Sequence, residues 1–250
     1  MATALYEFFI HRNYIQFSFQ LIVCVIPFVI GMKKRGNFVP GAVAAVIGEL
    51  ILSGIWCKLI SPFGSEAFML PYVFVYIGYA AATGLAVWLV FDVSWLEIIF
   101  VVAAGYATQH MCFALSRMGL YLLNIPYGTS PDHIVHAFVT RYGIFPIAAV
   151  AVYFIAVKGN QKKSEFSDGD LRIAVLAAIL LLTAITLSVY WSYDSNLDGN
   201  KVGGMICPAY SFICCAFVLV LSYRVLWENS MKREHEKMEE MLRMADIQQK

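Results

Sequence analysis

The sequence predicts an all-α fold: a polytopic membrane helix bundle of about seven transmembrane helices, followed by a C-terminal cytoplasmic helix of coiled-coil character. Three observations carry that expectation. Of 250 residues, 60% are hydrophobic and only 14% charged, a balance that leaves a folded domain of this size with apolar patches too large for water. Seven apolar runs, at 14–32, 39–60, 69–91, 95–123, 131–157, 171–193 and 202–226, each match the about 20 residues that a helix rising about 1.5 Å per residue needs to cross a hydrocarbon core of about 30 Å. From residue 227 onward the chain turns charged and methionine-rich, ending in WENSMKREHEKMEEMLRMADIQQK.

Taken in order, the N-terminal segment carries Glu7 and lacks a basic region ahead of the first apolar run, so that run is expected to be retained rather than cleaved as a signal peptide. It stops at Lys33-Lys34-Arg35-Gly36-Asn37. The second run holds Ala44 and Gly48 four residues apart, a small face suited to close helix packing, with Glu49 beside it, and Pro62 and Gly64 follow its end. The fourth aligns Ala103, Tyr106, His110, Ala114 and Arg117 on one face, because spacings of three, four and seven return to the same side of a helix, and Gln109 borders that stripe. Ser130-Pro131-Asp132 supplies a start signal for the fifth, which aligns His133, His136, Thr140 and Gly143, leaves Arg141 off that face and expects a kink at Pro146. An acidic, turn-rich loop at 194–200 separates the last two runs.

Orientation follows from the placement of basic residues in short loops. With the C-terminus inside, Lys33, Lys34, Arg35, Lys158, Lys162, Lys163, Arg172, Arg224, Lys232, Arg233, Lys237 and Arg243 are cytoplasmic, against Arg12, Lys58 and Lys201 outside. A multi-pass protein of the plasma membrane is therefore expected, N-terminus outside and C-terminus cytoplasmic. The formal net charge of +1 forms no continuous basic stripe, so nucleic acid is not an expected partner.

Polar residues within apolar runs mark the candidate sites, since a charged side chain at the bilayer centre costs about 2.5–3.5 kcal/mol on insertion scales. Glu49 reads as a sensing or proton-sensitive carboxylate, or equally as a protonated or paired glutamate joining helices. The Tyr106, Gln109, His110, Arg117 stripe reads as a ligand-sensing face whose arginine attracts an anionic small molecule or peptide carboxylate, or as an interhelical hydrogen-bond ladder with Arg117 reaching the interface. His133 and His136 read as proton sensors, their ordinary pKa lying near physiological pH; without a carboxylate or cysteine companion they make no expected metal site. Six cysteines, Cys24, Cys57, Cys112, Cys207, Cys214 and Cys215, fall in or beside apolar runs without CxxC spacing and read as reduced thiols. Motifs of intramembrane hydrolases, zinc proteases and P-loop pumps are absent, and the seventh run carries no lysine for a retinal Schiff base.

In the tail, Met231, Met238 and Ala245 recur every seven residues, with Trp227 and Met241 at the intervening positions and Glu234 and Gln248 interrupting that second row. The pairs Glu228/Lys232 and Glu239/Arg243 are spaced four apart in the favourable order. A helix continuing the seventh run and pairing with its own copy through Met231, Met238, Met241 and Ala245 is expected, giving a homodimer. Lys250 is followed by no stop signal, so a continuation of this helix is expected.

The stretch Ala103-Ala104-Gly105-Tyr106-Ala107-Thr108-Gln109-His110, the Ser192-Tyr193-Asp194 pattern before the acidic loop, and the tail Lys232-Arg233-Glu234-His235-Glu236-Lys237-Met238-Glu239-Glu240 resemble the membrane region of Firmicutes sensor histidine kinases with a GHKL-type ATPase domain, the AgrC-like quorum-sensing group. The resemblance implies a sensor domain over residues 1–226, a signalling and dimerisation helix over 227–250, a signal read in or outside the membrane, and a two-component output to a response regulator. It also implies ATP and Mg in a catalytic domain; these residues contain neither a phosphoacceptor motif nor a nucleotide box, so no catalytic residue and no cofactor is expected within them, and His235, set among glutamates beside the membrane, is not expected to be the phosphoacceptor. The competing expectation is a small membrane transporter or channel with Glu49, His110 and Arg117 lining its pathway.

Overall fold

Seventeen uncharged residues, Asn13–Val29, form helix α1, and Phe38–Ile60 forms α2, with Pro40 in its first turn where a missing N–H costs no hydrogen bond. Leu70–Val90 is α3 and Trp95–Leu122 is α4. A π-helical turn, Val139–Gly143, leads into α5, Ile144–Val152, and Gly203–Gln248 is α6. This computed structural model describes residues 13–36, 38–60, 70–122, 139–154 and 203–248 and the isolated positions 175, 178 and 179. Every named element among the described residues is a helix, as the all-α expectation requires. The expected sixth run at 171–193, the acidic loop and the first twelve residues lie outside them, apart from those three positions.

Helix α4 is the hub. Every residue from Val101 to His110 is buried, and α4 is packed by α1, α3, α5 and α6. Its start is fixed by a reciprocal cap: the Ser94 backbone N–H donates to Glu97 Oε2 at 2.7 Å, and the Glu97 N–H donates back to Ser94 Oγ at 3.3 Å. The core around it draws Leu21, Val25, Phe28 and Val29 from α1, Ala80 and Val87 from α3, and Cys215 and Leu219 from α6. Glycine permits two close crossings. A Cβ at Gly105 would strike the Val25 side chain of α1, and one at Gly78 would strike the Trp56 indole of α2. Without that Cβ, the Trp56 Nε1–H reaches the Phe74 carbonyl at 2.8 Å.

The turns after α1 and α3 meet at one end of the bundle. Lys34 and Phe91 form an isolated antiparallel bridge, closed by Arg35 N–H to the Val90 carbonyl at 2.9 Å and Asp92 N–H to the Lys33 carbonyl at 2.8 Å. Gly36, at φ +24°, supplies the left-handed residue that turns the chain into α2. The basic turn is braced by Lys33 donating to Asp92 at 2.8 Å, by Lys34 over the Phe38 ring and by Arg35 over Trp88. Helix α6 leaves the bundle at this same end, since Tyr223 packs on Phe28 near the close of α1 and on Phe100 near the start of α4.

Two local expectations change. The small face of α2 does not pack inward: a Cβ at Gly41 or Gly48 would meet nothing within 4 Å, and Ala44 is exposed. The inner face is instead Ala42, Ala45, Glu49, Ser53 and Trp56, because Glu49 and Trp56 find partners on α3. At Pro146 the deviation takes the form of the π-helical turn just before it: proline lacks the N–H that would bond the Tyr142 carbonyl, and a wider turn absorbs the mismatch.

Candidate functional site

Many polar side chains of the described spans, Gln20, Glu49, Ser53, Thr83, Gln109 and His110 among them, are buried between helices. On α4, Tyr106, Gln109 and His110 are all buried. The Tyr106 hydroxyl donates to the Tyr76 carbonyl of α3 at 3.2 Å, and Gln109 Nε2 donates to Gln20 Oε1 of α1 at 3.0 Å. His110 lies one turn on, its ring 5.9 Å from that of Tyr106. Phe17 of α1 is the centre of the aromatic part, with ring centroids 4.8 Å from Tyr79, 5.2 Å from Tyr76 and 5.4 Å from Tyr106. The result is a cluster shared by α1, α3 and α4 in which an aromatic wall borders an amide pair. Gln109 Oε1 has no hydrogen-bond partner among the described residues, so the cluster retains a buried acceptor that a small donor would satisfy.

Glu49 occupies the neighbouring seam, between α2 and α3. The Thr83 hydroxyl donates to Glu49 Oε1 at 2.5 Å, and both side chains are buried. Ser53, one turn along α2, is fully buried, and its hydroxyl has no partner among the described residues. Tyr79 and Thr83 stand four apart on α3, so one helical turn joins this seam to the aromatic cluster.

No family model, no curated protein and no solved structure matches this chain. The placement of its residues therefore rests on the geometry alone.

The structure brings Tyr106, Gln109 and His110 together, sets Glu49 one seam away, and leaves Arg117 half-buried two turns further along α4, about 10 Å along the axis from His110. His133 and His136 lie outside the described residues. Met231, Met238, Met241 and Ala245 are all exposed on the projecting part of α6. There Glu228 is engaged by Arg224 at 3.1 Å and Glu239 by His235 at 3.4 Å, pairs running from the N-terminal side rather than toward Lys232 and Arg243. Phe17, Gln20, Ser53, Tyr76, Tyr79 and Thr83 join the site without having been singled out. Their signal was present: Gln16 and Gln20 are spaced four apart in an uncharged run, and Tyr76, Tyr79 and Thr83 repeat at three and four.

Proposed function

We propose that this chain is the membrane-embedded sensory and dimerising region of an AgrC-like, GHKL-type sensor histidine kinase, built from about seven spans with its tail in the cytoplasm. The membrane part of this reading is supported by an inversion. Among the described residues, two helices are long and apolar enough to cross a bilayer; the more hydropathic, at 1.9, is only 17% buried, whereas the other, at 1.6, is 78% buried. Water would favour the reverse. The exposed faces carry Val43, Ile47, Ile51 and Ile55 on α2, Ile77 and Leu85 on α3, and Ile213, Phe217 and Val220 on α6, while Glu49, Gln20, Gln109 and Thr83 face inward, the arrangement that hydrocarbon selects.

The observation that carries the signalling reading is the continuity of α6. It runs 46 residues without a break, about 69 Å at about 1.5 Å per residue, and packs along α4, the helix that bears Tyr106, Gln109 and His110. A small-molecule or peptide ligand, or a membrane condition, that repacks the α1–α3–α4 cluster shifts α4 against α6, and the rigid helix passes the change to a paired copy. Such a switch needs two packings separated by only a few kcal/mol. Output to a response regulator requires a phosphoacceptor and an ATP- and Mg-binding domain that these residues do not contain.

Disulfide scanning with single cysteines at each position from 231 to 245, in membranes, tests the proposal. Symmetric cross-links peaking at 231, 238 and 245, with an intermediate maximum at 241, are expected. A tail that cross-links at no position, with or without Gln109→Ala, sinks the reading.

A further inference from the structure

We propose that Glu49, Ser53 and Thr83 form a binding site for a monovalent hard cation, Na⁺, in the α2–α3 seam. Glu49 is 2% exposed and its hydrogen-bond partner, Thr83, is neutral. Among the described residues, α2 packs on α1 and α3, and neither of these helices contains an Asp, Glu, Lys, Arg or His. The sole basic residue of α2, Lys58, is exposed nine residues away, half a revolution round the helix. A carboxylate enclosed by uncharged residues in a low-dielectric seam is strongly disfavoured unless a positive partner joins it. Among the described residues no side chain on the packed faces supplies one, which leaves a cation from solution as the partner.

Donor chemistry selects the cation. Thr83 donates its proton to Glu49 Oε1 and keeps its own oxygen lone pairs, while the second carboxylate oxygen, Oε2, stands beside it. Ser53 follows Glu49 by four residues, on the same face of α2. That face points at α3, since Glu49 meets Thr83 on one side of Ser53 and Trp56 meets Phe74 and Gly78 on the other. Across this antiparallel seam, α3 carries Tyr79 and Ala80 between those two contacts. The Ser53 hydroxyl, 0% exposed and unpartnered among the described residues, thus lies on the α2 face that meets α3, one helical turn from the carboxylate. A carboxylate and two hydroxyls are hard oxygen donors, which favour alkali and alkaline-earth ions over soft metals. A single carboxylate neutralises a single positive charge; a divalent ion would leave the seam charged.

The inference goes beyond the proposed function and rests on it only for the enclosure of α2 by lipid. It makes no use of the tail, so sodium binding fails or holds independently of tail cross-linking. The test is equilibrium binding of radiolabelled Na⁺ to the full chain in nanodiscs, at constant ionic strength balanced with choline. Saturable binding of about one ion per chain is expected, lost in Glu49→Gln and weakened about tenfold in Ser53→Ala, as removal of one oxygen ligand implies. Thr83→Val weakens it similarly, and all three variants are first required to keep the wild-type circular dichroism and gel-filtration profile. Carbodiimide labelling of Glu49, read by mass spectrometry, gives the second measurement: Na⁺ protects and choline does not. Absence of saturable binding, binding undiminished in both Glu49→Gln and Ser53→Ala, or protection by raised pH but not by Na⁺ overturns the proposal, the last by making a proton the occupant.

Discussion

At Gly105 the α1–α4 crossing has no space for a β-carbon: one built there overlaps the Val25 side chain and comes within 3.3 Å of the Val25 backbone. Gly105→Ala should therefore destabilise the bundle by about 1–3 kcal/mol, the usual effect of overpacking. Val25→Ala in the same chain should recover part of the loss, a coupling that a double-mutant cycle on unfolding in detergent or bilayer measures. Simple additivity would contradict the crossing. A second residue-scale prediction concerns the exposed pair at the turn end. Lys33, donating to Asp92, holds the Asp92 carboxyl below the ordinary carboxylate range, with Arg35 adding to the effect, and Asp92 raises Lys33 in return. For a depressed acid, the contribution to stability is present above the unfolded pKa, about 3.9, and is lost as pH falls through the folded value; for the raised lysine it is lost as pH rises through its folded value. Carbon-detected NMR titration of Asp92 should show the low midpoint, which Lys33→Gln moves upward and added salt moves toward the ordinary value. An Asp92 midpoint unchanged in Lys33→Gln would remove the pair from consideration.

Among the elements, those legible in the sequence were the ones governed by one-dimensional signals. The basic turn that closes α1 follows from local chemistry, and the helical tail follows from its heptad spacing. What could not be read was which apolar helix is central. Helices α2 and α4 differ little in hydropathy, 1.9 against 1.6, and lipid-facing and protein-facing apolar side chains are chemically alike, so only the tertiary arrangement assigns α4 to the core. The same ambiguity explains the inner face of α2: Gly48 and Ala44 read as a packing stripe, but Trp56 and Glu49, with partners on α3, decide the rotation of the helix. The site was half legible for the same reason. Tyr106, Gln109 and His110 form a visible stripe, whereas the roles of Phe17 and Gln20 depend on where α1 crosses α4. The π-helical turn yields the prediction at this scale. Pro146→Ala restores an N–H that can bond the Tyr142 carbonyl, so Val139–Val152 should convert to a regular α-helix. Hydrogen exchange at residue 146 should then show protection, and the removed register shift should turn Tyr142 away from Phe19, whose ring now lies 5.2 Å from it. An exposed, rapidly exchanging amide at that position would show that something other than proline maintains the π turn.

For the molecule as a whole, the end that carries Lys33, Lys34 and Arg35 is also the end from which α6 projects, and this coincidence ties orientation to function. Tyr223 fixes it by packing on both Phe28 and Phe100, so the basic turn and the residues after 224 must share one side of any membrane the bundle crosses. Trp88 and Trp95, stacked with centroids 6.0 Å apart beside that turn, add the aromatic pair that favours the boundary between headgroups and hydrocarbon. Basic residues in short loops are retained on the cytoplasmic side, so the proposed topology has this as the inner face and the tail as an intracellular helix. Single cysteines at Lys34 and Met238, in a chain whose native cysteines are replaced, should react with a membrane-impermeant maleimide only after cells are permeabilised. A cysteine at Lys58, at the far end of α2, should react in intact cells. Labelling at Lys34 and Met238 must agree with each other whatever the orientation, because the fold joins them; a split between the two would break the bundle geometry itself. Agreement with both positions outside would leave the fold intact and remove the signalling proposal, since a helix that pairs outside the cell has no access to a cytoplasmic kinase domain.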